Sequence, residues 1–258
     1  MQTEMIEKSY AKVNIFLKIA DKRENYHELV SRFVRVHNLY DIMSFVKTSR
    51  KAITIIGNFG CKMESNTVYK AYNLIKDLKG VEEFFLNHEI VIDKRIPEFA
   101  GLGGGSSNAA TFLIMANKYC NLNLSKDELS KIAVQIGADV PFFVYEYDSA
   151  NVTGIGEIVE KFDEEILNID TITPKIKCNT GEIFKIFREK FYKQISKEQS
   201  KRLLSMTSLD ILREFDIKNA NDLYESALSL YPQLSDYAKK DWYFSGSGSS
   251  YFRINDGK

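Results

Sequence analysis

Residues 97–107 combine types and spacing that suit the binding of an anion. Pro97-Glu98-Phe99-Ala100 leads into Gly101-Leu102-Gly103-Gly104-Gly105, and Ser106-Ser107-Asn108 follows. Glycines in series bring backbone N–H groups close to a ligand, because no Cβ stands in the way. Beyond them Ala109, Phe112, Leu113 and Ala116 recur at i, i+3, i+4 and i+7, the stripe of an amphipathic helix. The first N–H groups of such a helix lack intrahelical partners and lie at the positive end of its dipole. Ser106 and Ser107 add hydroxyls there. Phosphate is the expected occupant, and the plainer reading is a ligand-free connector between strand and helix. Two familiar loops are excluded letter by letter. A Walker A loop ends in Gly-Lys-Ser/Thr, but Ser106 follows Gly105; a dinucleotide fingerprint from Gly101 needs glycine at position 106.

Three further segments draw notice. In Ala11-Lys12-Val13-Asn14-Ile15-Phe16-Leu17, strict alternation predicts a strand with one buried face, Ala11, Val13, Ile15, Leu17 and Ile19, and places Lys12 and Asn14 on the opposite side. In Gly137-Ala138-Asp139-Val140-Pro141-Phe142-Phe143, Asp139 suits two roles: a general base, or the N-cap of a short helix with proline in its first turn. Near the C-terminus, Phe244-Ser245-Gly246-Ser247-Gly248-Ser249-Ser250-Tyr251-Phe252 is a second small-residue loop, which also reads as a plain turn.

The elements that must hold these residues are mixed. Besides the strand at 11–19, strands are expected at 30–36, 41–46, 52–56, 89–93, 172–178 and 251–254. Helices are expected at 67–78, at 180–191 and near 221–230. Ser125-Lys126-Asp127-Glu128 fits a capping box opening a helix through Leu129, Ile132, Ala133 and Ile136, with Gly137 as its left-handed C′ residue. Without regular βαβ alternation the pattern is α+β. Glycines at 154 and 156 mark a soft boundary, giving domains of 1–149 and 150–258.

Composition narrows the function further. Thirty-five basic residues balance thirty-five acidic ones, so neither nucleic acid nor an anionic membrane is an expected partner. Cys61, Cys120 and Cys178 are scattered, which suits a reducing compartment and argues against a disulfide frame or zinc site. The N-terminal residues show no signal-peptide pattern and no apolar run is long enough to span a bilayer, so a cytoplasmic protein is expected.

Taken in order, the Lys12 segment, the glycine loop and the 244–252 loop resemble the GHMP kinases (galactokinase, homoserine kinase, mevalonate kinase and their relatives). The resemblance implies a two-domain α+β fold with the active site in a cleft between domains, ATP and Mg2+ as cofactors, and a small-molecule alcohol as substrate. It implies that Lys12 and Asp139 are catalytic, Asp139 accepting the hydroxyl proton. Pro97, Gly101, Leu102, Gly103, Gly104, Gly105, Ser106 and Ser107 then hold the ATP phosphates, with Asn66 and Lys94 near the adenine. The loop at 101–110, the Asp139 segment and Tyr26-His27-Glu28-Leu29 look most like a member whose alcohol carries a cytidine diphosphate. In that reading Asn14, Tyr26, His27, Phe184 and Asp139 bind the substrate, with Tyr26 and Phe184 sandwiching the cytosine and His27 hydrogen-bonding it. Asn25 replaces the usual glycine before Tyr26, and asparagine tolerates a left-handed turn. Residues 185–218 carry no family motif. The protein ligands of magnesium are unassigned, the chain is expected to be a monomer or homodimer, and the rivals are a kinase of mevalonate, homoserine or sugar, or a non-catalytic nucleotide-binding protein.

Overall fold

The computed structural model describes residues 5–23 and 26–255, with the side chains of 21–27 outside the description. In chain order it holds β1 (Ile6–Arg23), β2 (Tyr26–Lys47), β3 (Ile55–Ile56), α1 (Thr67–Ile75), α2 (Val81–Phe85), β4 (His88–Asp93), α3 (Gly104–Tyr119), α4 (Lys126–Ala133) and α5 (Val140–Tyr145). There follow β5 (Ser149–Gly154), β6 (Ile158–Lys161), β7 (Ile169–Ile172), α6 (Thr180–Ile186), α7 (Lys197–Ser205), α8 (Ser208–Glu214), α9 (Ile217–Ala220), α10 (Tyr224–Leu230), β8 (Tyr243–Phe244) and β9 (Tyr251–Ile254). The fold is α+β, as the pattern predicts. Among the described residues no helix is long and apolar enough to cross a membrane.

Two compact units interleave along the chain. The first comprises Met1–Ala11, Leu39–Ile96 and Gly104–Glu146. Here the second half of β2 runs antiparallel to β4, Ile42 facing Asp93 and Lys47 facing His88, while β3 runs parallel to β4. Helix α3 packs on α1 and α5, and α4 on α5. The core gathers Phe45, Phe85 and Phe112, with ring centroids 5.0 and 5.3 Å apart in turn. Burying one such side chain stabilises the unit by about 1.5–3 kcal/mol.

The second unit comprises Lys12–Asn38, Pro97–Gly103 and Tyr147–Lys258. There the first half of β2 pairs with β5, Leu29 facing Gly154 and Val34 facing Ser149, and β6 pairs with β5. A separate three-stranded sheet has the order β7-β9-β8. Leu17 and Ile19 pack with Ile183, Phe187, Tyr224, Phe244 and Tyr251 in its core.

Four expectations need correction. β1 is buried on both faces, for Lys12, Asn14 and Phe16 are as hidden as Val13 and Ile15. The strand expected at 52–56 shortens to β3, and that expected at 172–178 is β7, ending where the other was to begin. Gly137 is not a left-handed C′ residue: α4 stops at Ala133, Val134 caps it in the right-handed region, and the chain turns on to Gly137, whose N–H still bonds Ala133 O at 3.3 Å.

Candidate active site

The glycine loop starts after β4, and its first part belongs to the second unit. Phe99, Gly101 and Gly103 take positive φ of 55°, 73° and 69°. At Gly101 the requirement for glycine is double. A Cβ there would lie 2.1 Å from Ser245 O, and the left-handed φ disfavours any side chain. Ser245 Oγ donates to Gly101 O at 3.0 Å, and Ser250 N donates to Ala100 O at 3.1 Å. Asn221 Nδ2 donates to the carbonyls of Phe244 and Gly246, at 3.0 and 2.9 Å, fixing the second small-residue loop from behind. The small residues at 245–250 are therefore a bed for Ala100 and Gly101 and not a plain turn.

β1 meets the same loop. Lys12 N donates to Leu102 O at 3.0 Å. Lys12 is only 2% exposed, and its ammonium is held by neighbours. It donates to Asn14 Oδ1 at 2.6 Å and lies 4.4 Å from the centre of the Phe33 ring, a cation–π contact. Asn14 Nδ2 in turn donates to Ser31 Oγ at 3.0 Å, which holds the amide oxygen toward Lys12. Sequence alternation put Lys12 and Asn14 on one face; the structure joins them by a direct hydrogen bond.

In the first unit the loop becomes α3 at Gly104. Thr67 Oγ1 donates to Gly105 O at 2.6 Å, and a Cβ on Gly104 would lie 2.9 Å from Ile96 Cγ2. Ser107 is buried, its hydroxyl donating to Ser9 Oγ at 3.3 Å, whereas Ser106 is half-buried. The helix runs sixteen residues, long enough for a developed dipole at its N-terminus. Asn66 caps α1, its Oδ1 accepting from Val68 N at 2.9 Å. Lys94 Nζ donates to Asn108 Oδ1 at 2.9 Å and pairs with the buried carboxylate of Asp41. Asp139 occupies the residue before α5, half-buried and in the right-handed region, and its side chain makes no capping hydrogen bond to that helix. Geometry thus weakens the capping reading of Asp139.

Phe184 lies on α6, partly buried against the core cluster of the second unit. The α6 N-terminus is tied down by Asn179, whose Oδ1 accepts from Glu182 N at 3.2 Å, and Thr180 Oγ1 lies 2.7 Å from Ser247 Oγ. Asn25 and the side chains of Tyr26 and His27 lie outside the described residues. Among the described residues no three His, Cys, Asp or Glu side chains gather as a metal site. Asp41 and Asn108, which bind Lys94 between them, carried no role in the sequence reading. Neither sits at a spacing that announces the contact.

A loop of glycines feeding a helix, bedded on a second Gly-Ser loop and on a strand lysine, has a counterpart among known proteins. Residues 66–147 match the model of the N-terminal domain of the GHMP kinases. A chain from Sulfurimonas denitrificans named 4-diphosphocytidyl-2-C-methyl-D-erythritol kinase is 48% identical over 256 residues, covering 96% of each chain. One of the same name from Campylobacter jejuni strain RM1221 is 38% identical, covering 96% of this chain and 99% of its own. A crystal structure of 4-(cytidine 5'-diphospho)-2C-methyl-D-erythritol kinase superposes with a TM-score of 0.75 at 27% identity, over 97% of this chain and 90% of that one. The mevalonate kinase of Methanococcus jannaschii shares the fold, with a TM-score of 0.65 at 15% identity over 99% and 92% of the two chains. The chain belongs to the GHMP kinases and, among them, to the family of 4-diphosphocytidyl-2-C-methyl-D-erythritol kinases.

Proposed function

We propose that this chain transfers the γ-phosphoryl group of ATP to the C2 hydroxyl of 4-diphosphocytidyl-2-C-methyl-D-erythritol, a step of the non-mevalonate route to isoprenoid precursors. The observation that carries the reading is relatedness over nearly the whole chain, 48% across 256 residues, to a kinase of that name. The two bedded loops are the part of the structure that supports it.

Phosphoryl transfer depends mostly on positioning and charge neutralisation. In this reading Asp139 takes the proton of the attacking hydroxyl as the new P–O bond forms and the bond to ADP breaks. Lys12, held by Asn14, stabilises charge on the transferring group. The N–H groups at Gly101 to Ser107 receive the phosphates, and Asn66 and Lys94 lie toward the adenine. Tyr26, His27 and Phe184 take the cytosine. Mg2+ suits this donor set, since it binds through few protein oxygens and keeps waters and phosphate oxygens as its other ligands. The half-buried Ser106 hydroxyl would contribute one oxygen, and the ion would neutralise phosphate charge. The ATP-binding domain is assigned to 1–149 and the C-terminal domain to 150–258. The reading also places the protein in the cytoplasm, as monomer or homodimer.

A coupled ADP-release assay with Mg-ATP tests this against 4-diphosphocytidyl-2-C-methyl-D-erythritol, mevalonate, homoserine and galactose. Turnover of the cytidine-linked alcohol alone is expected. Equal turnover of several alcohols, or of none, rejects the assignment.

A further inference from the structure

Asp41 is wholly buried in β2, and its two oxygens serve two places. Oδ1 accepts from Arg95 N at 2.7 Å and from Ile96 N at 2.8 Å. Oδ2 accepts from Asn108 Nδ2 at 2.8 Å and from the Lys94 ammonium. Lys94 closes the triangle by donating to Asn108 Oδ1 at 2.9 Å. Arg95 and Ile96 directly precede the loop at 97–107, and Asn108 directly follows it. One carboxylate therefore grips both stems of the loop. Burying a charge is tolerable only with such partners, and here four donors, one of them an ammonium, supply them. The stems also touch. The missing Cβ of Gly104 would lie 2.9 Å from Ile96 Cγ2 and 3.5 Å from Lys94 Nζ, so a shift at Ile96 passes directly to the start of α3.

We propose that Asp41 is a positioning residue of the nucleotide loop: it fixes both stems so that the loop N–H groups meet the ATP phosphates, and it holds Lys94 toward the nucleotide. The proposal rests on reading 97–107 as the ATP loop. Charge and position predict opposite signs for its loss. Removing a negative charge near an anion site favours ATP, while releasing the stems disfavours it. Lys94 already neutralises much of the carboxylate, so position governs.

The test is Asp41→Asn, with ATP affinity by calorimetry, steady-state constants for both substrates, and a thermal melt. The asparagine keeps its bonds to Arg95 and Ile96 but turns an amide NH2 toward two donors. The ATP Kd and KM should rise about 10- to 100-fold, the scale of a loop misplaced by about 1 Å, with KM for the alcohol unchanged. Asp41→Asn combined with Asn108→Asp remakes the bond between the two side chains with donor and acceptor exchanged and gives Lys94 a carboxylate at 108, leaving only the Lys94 bond to residue 41 unmade, and should recover part of the ATP affinity. ATP affinity that is unchanged or tighter in folded Asp41→Asn overturns the proposal. So does a folded double variant that recovers nothing, or a joint loss for both substrates tracking a lower Tm. Should Asp41→Asn not fold, Asn108→Ala releases one stem alone and should raise the ATP Kd by a smaller factor; an unchanged Kd there overturns the proposal equally. Were the wild type to phosphorylate no alcohol, the kinase reading would fall while ATP calorimetry still decided the role of Asp41.

Discussion

Ser245 meets Gly101 twice: its hydroxyl donates to the Gly101 carbonyl at 3.0 Å, and its own carbonyl oxygen occupies the space a Gly101 Cβ would need. The second contact is the stricter one. Losing a hydroxyl removes one hydrogen bond, whereas a methyl placed 2.1 Å from a backbone oxygen moves the backbone of one loop or the other. Ser245→Ala should therefore fold and cost about 1 kcal/mol, a Tm drop of roughly 2–4 °C. Gly101→Ala should lose ATP binding and a larger share of stability. Melting curves and ATP calorimetry on both variants check this. A folded Gly101→Ala with normal ATP affinity would separate the 245–250 loop from nucleotide binding.

Asp139 offers a cleaner separation of roles. A working N-cap costs about 1 kcal/mol when removed, but the Asp139 side chain caps nothing on α5. Asp139→Asn should leave Tm and ATP affinity near wild type and lower kcat by about 10²–10⁴, the usual contribution of a positioned base. A loose transition state pulls the loss toward the lower figure. Near-normal kcat removes Asp139 from the chemistry.

What could be read before folding was whatever depends on neighbours in sequence. The Ser125–Glu128 capping box is present in full, and so is the apolar stripe behind the glycine loop, because both are set by spacings of three and four residues. Asp41 shows the other case. Its partners Lys94 and Asn108 lie 53 and 67 residues away, and an aspartate within a strand looks like any polar residue on a solvated face. Residues 185–218 were opaque for a different reason. Their helices α7 and α8 are nine and seven residues long, with few apolar side chains, and docking on the rest of the second unit supplies what periodicity does not.

That docking centres on Arg32. The fully buried guanidinium donates to Asn151 Oδ1 at 2.6 Å and to the carbonyls of Leu204 and Met206 at 3.0 and 3.2 Å, and stacks 3.3 Å from the centre of the Phe162 ring. Burial pushes its pKa down to about 10, partly opposed by Glu164, so it stays a cation at neutral pH. Arg32→Met leaves Glu164 buried without its cation and should cost about 3–5 kcal/mol. Arg32→Lys should also destabilise, because one ammonium does not reproduce the planar fork. Urea unfolding at constant m-value reads both, and a loss below about 1 kcal/mol for Arg32→Met shows the network to be dispensable.

Phe99 carries strain on the glycine loop at 97–107. Its φ is 55° and the residue is 52% exposed, so the left-handed backbone is held without much packing in return. A left-handed backbone costs a side-chain-bearing residue about 1–2 kcal/mol, and asparagine is among the residues that tolerate it. Phe99→Asn should raise Tm by roughly 2–4 °C for each 1 kcal/mol recovered. An unchanged or lower Tm means that the ring earns its place through contacts.

Substrate identity turns on Phe184 and Tyr26. If the two rings flank a cytosine, replacing either by alanine weakens the cytidine-linked substrate and spares ATP. Base–aromatic stacking is worth about 1–3 kcal/mol per base, which corresponds to roughly a 5- to 150-fold loss in kcat/KM. The loss belongs in KM if the base is held equally in ground and transition states, since uniform binding leaves kcat alone. For Phe184 there is a competing structural account, because its ring also packs partly buried against the core cluster that holds Leu17, Ile183 and Phe187. That account expects lower thermal stability, with kcat and ATP affinity disturbed together. Phe184→Leu separates them: it keeps apolar volume for the core but offers no flat face to a base. Under the stacking account Phe184→Leu melts near wild type and still shows the raised KM for the cytidine-linked alcohol. A normal KM in Phe184→Leu and Tyr26→Ala together would dismiss the sandwich and reopen the choice among small-molecule alcohols.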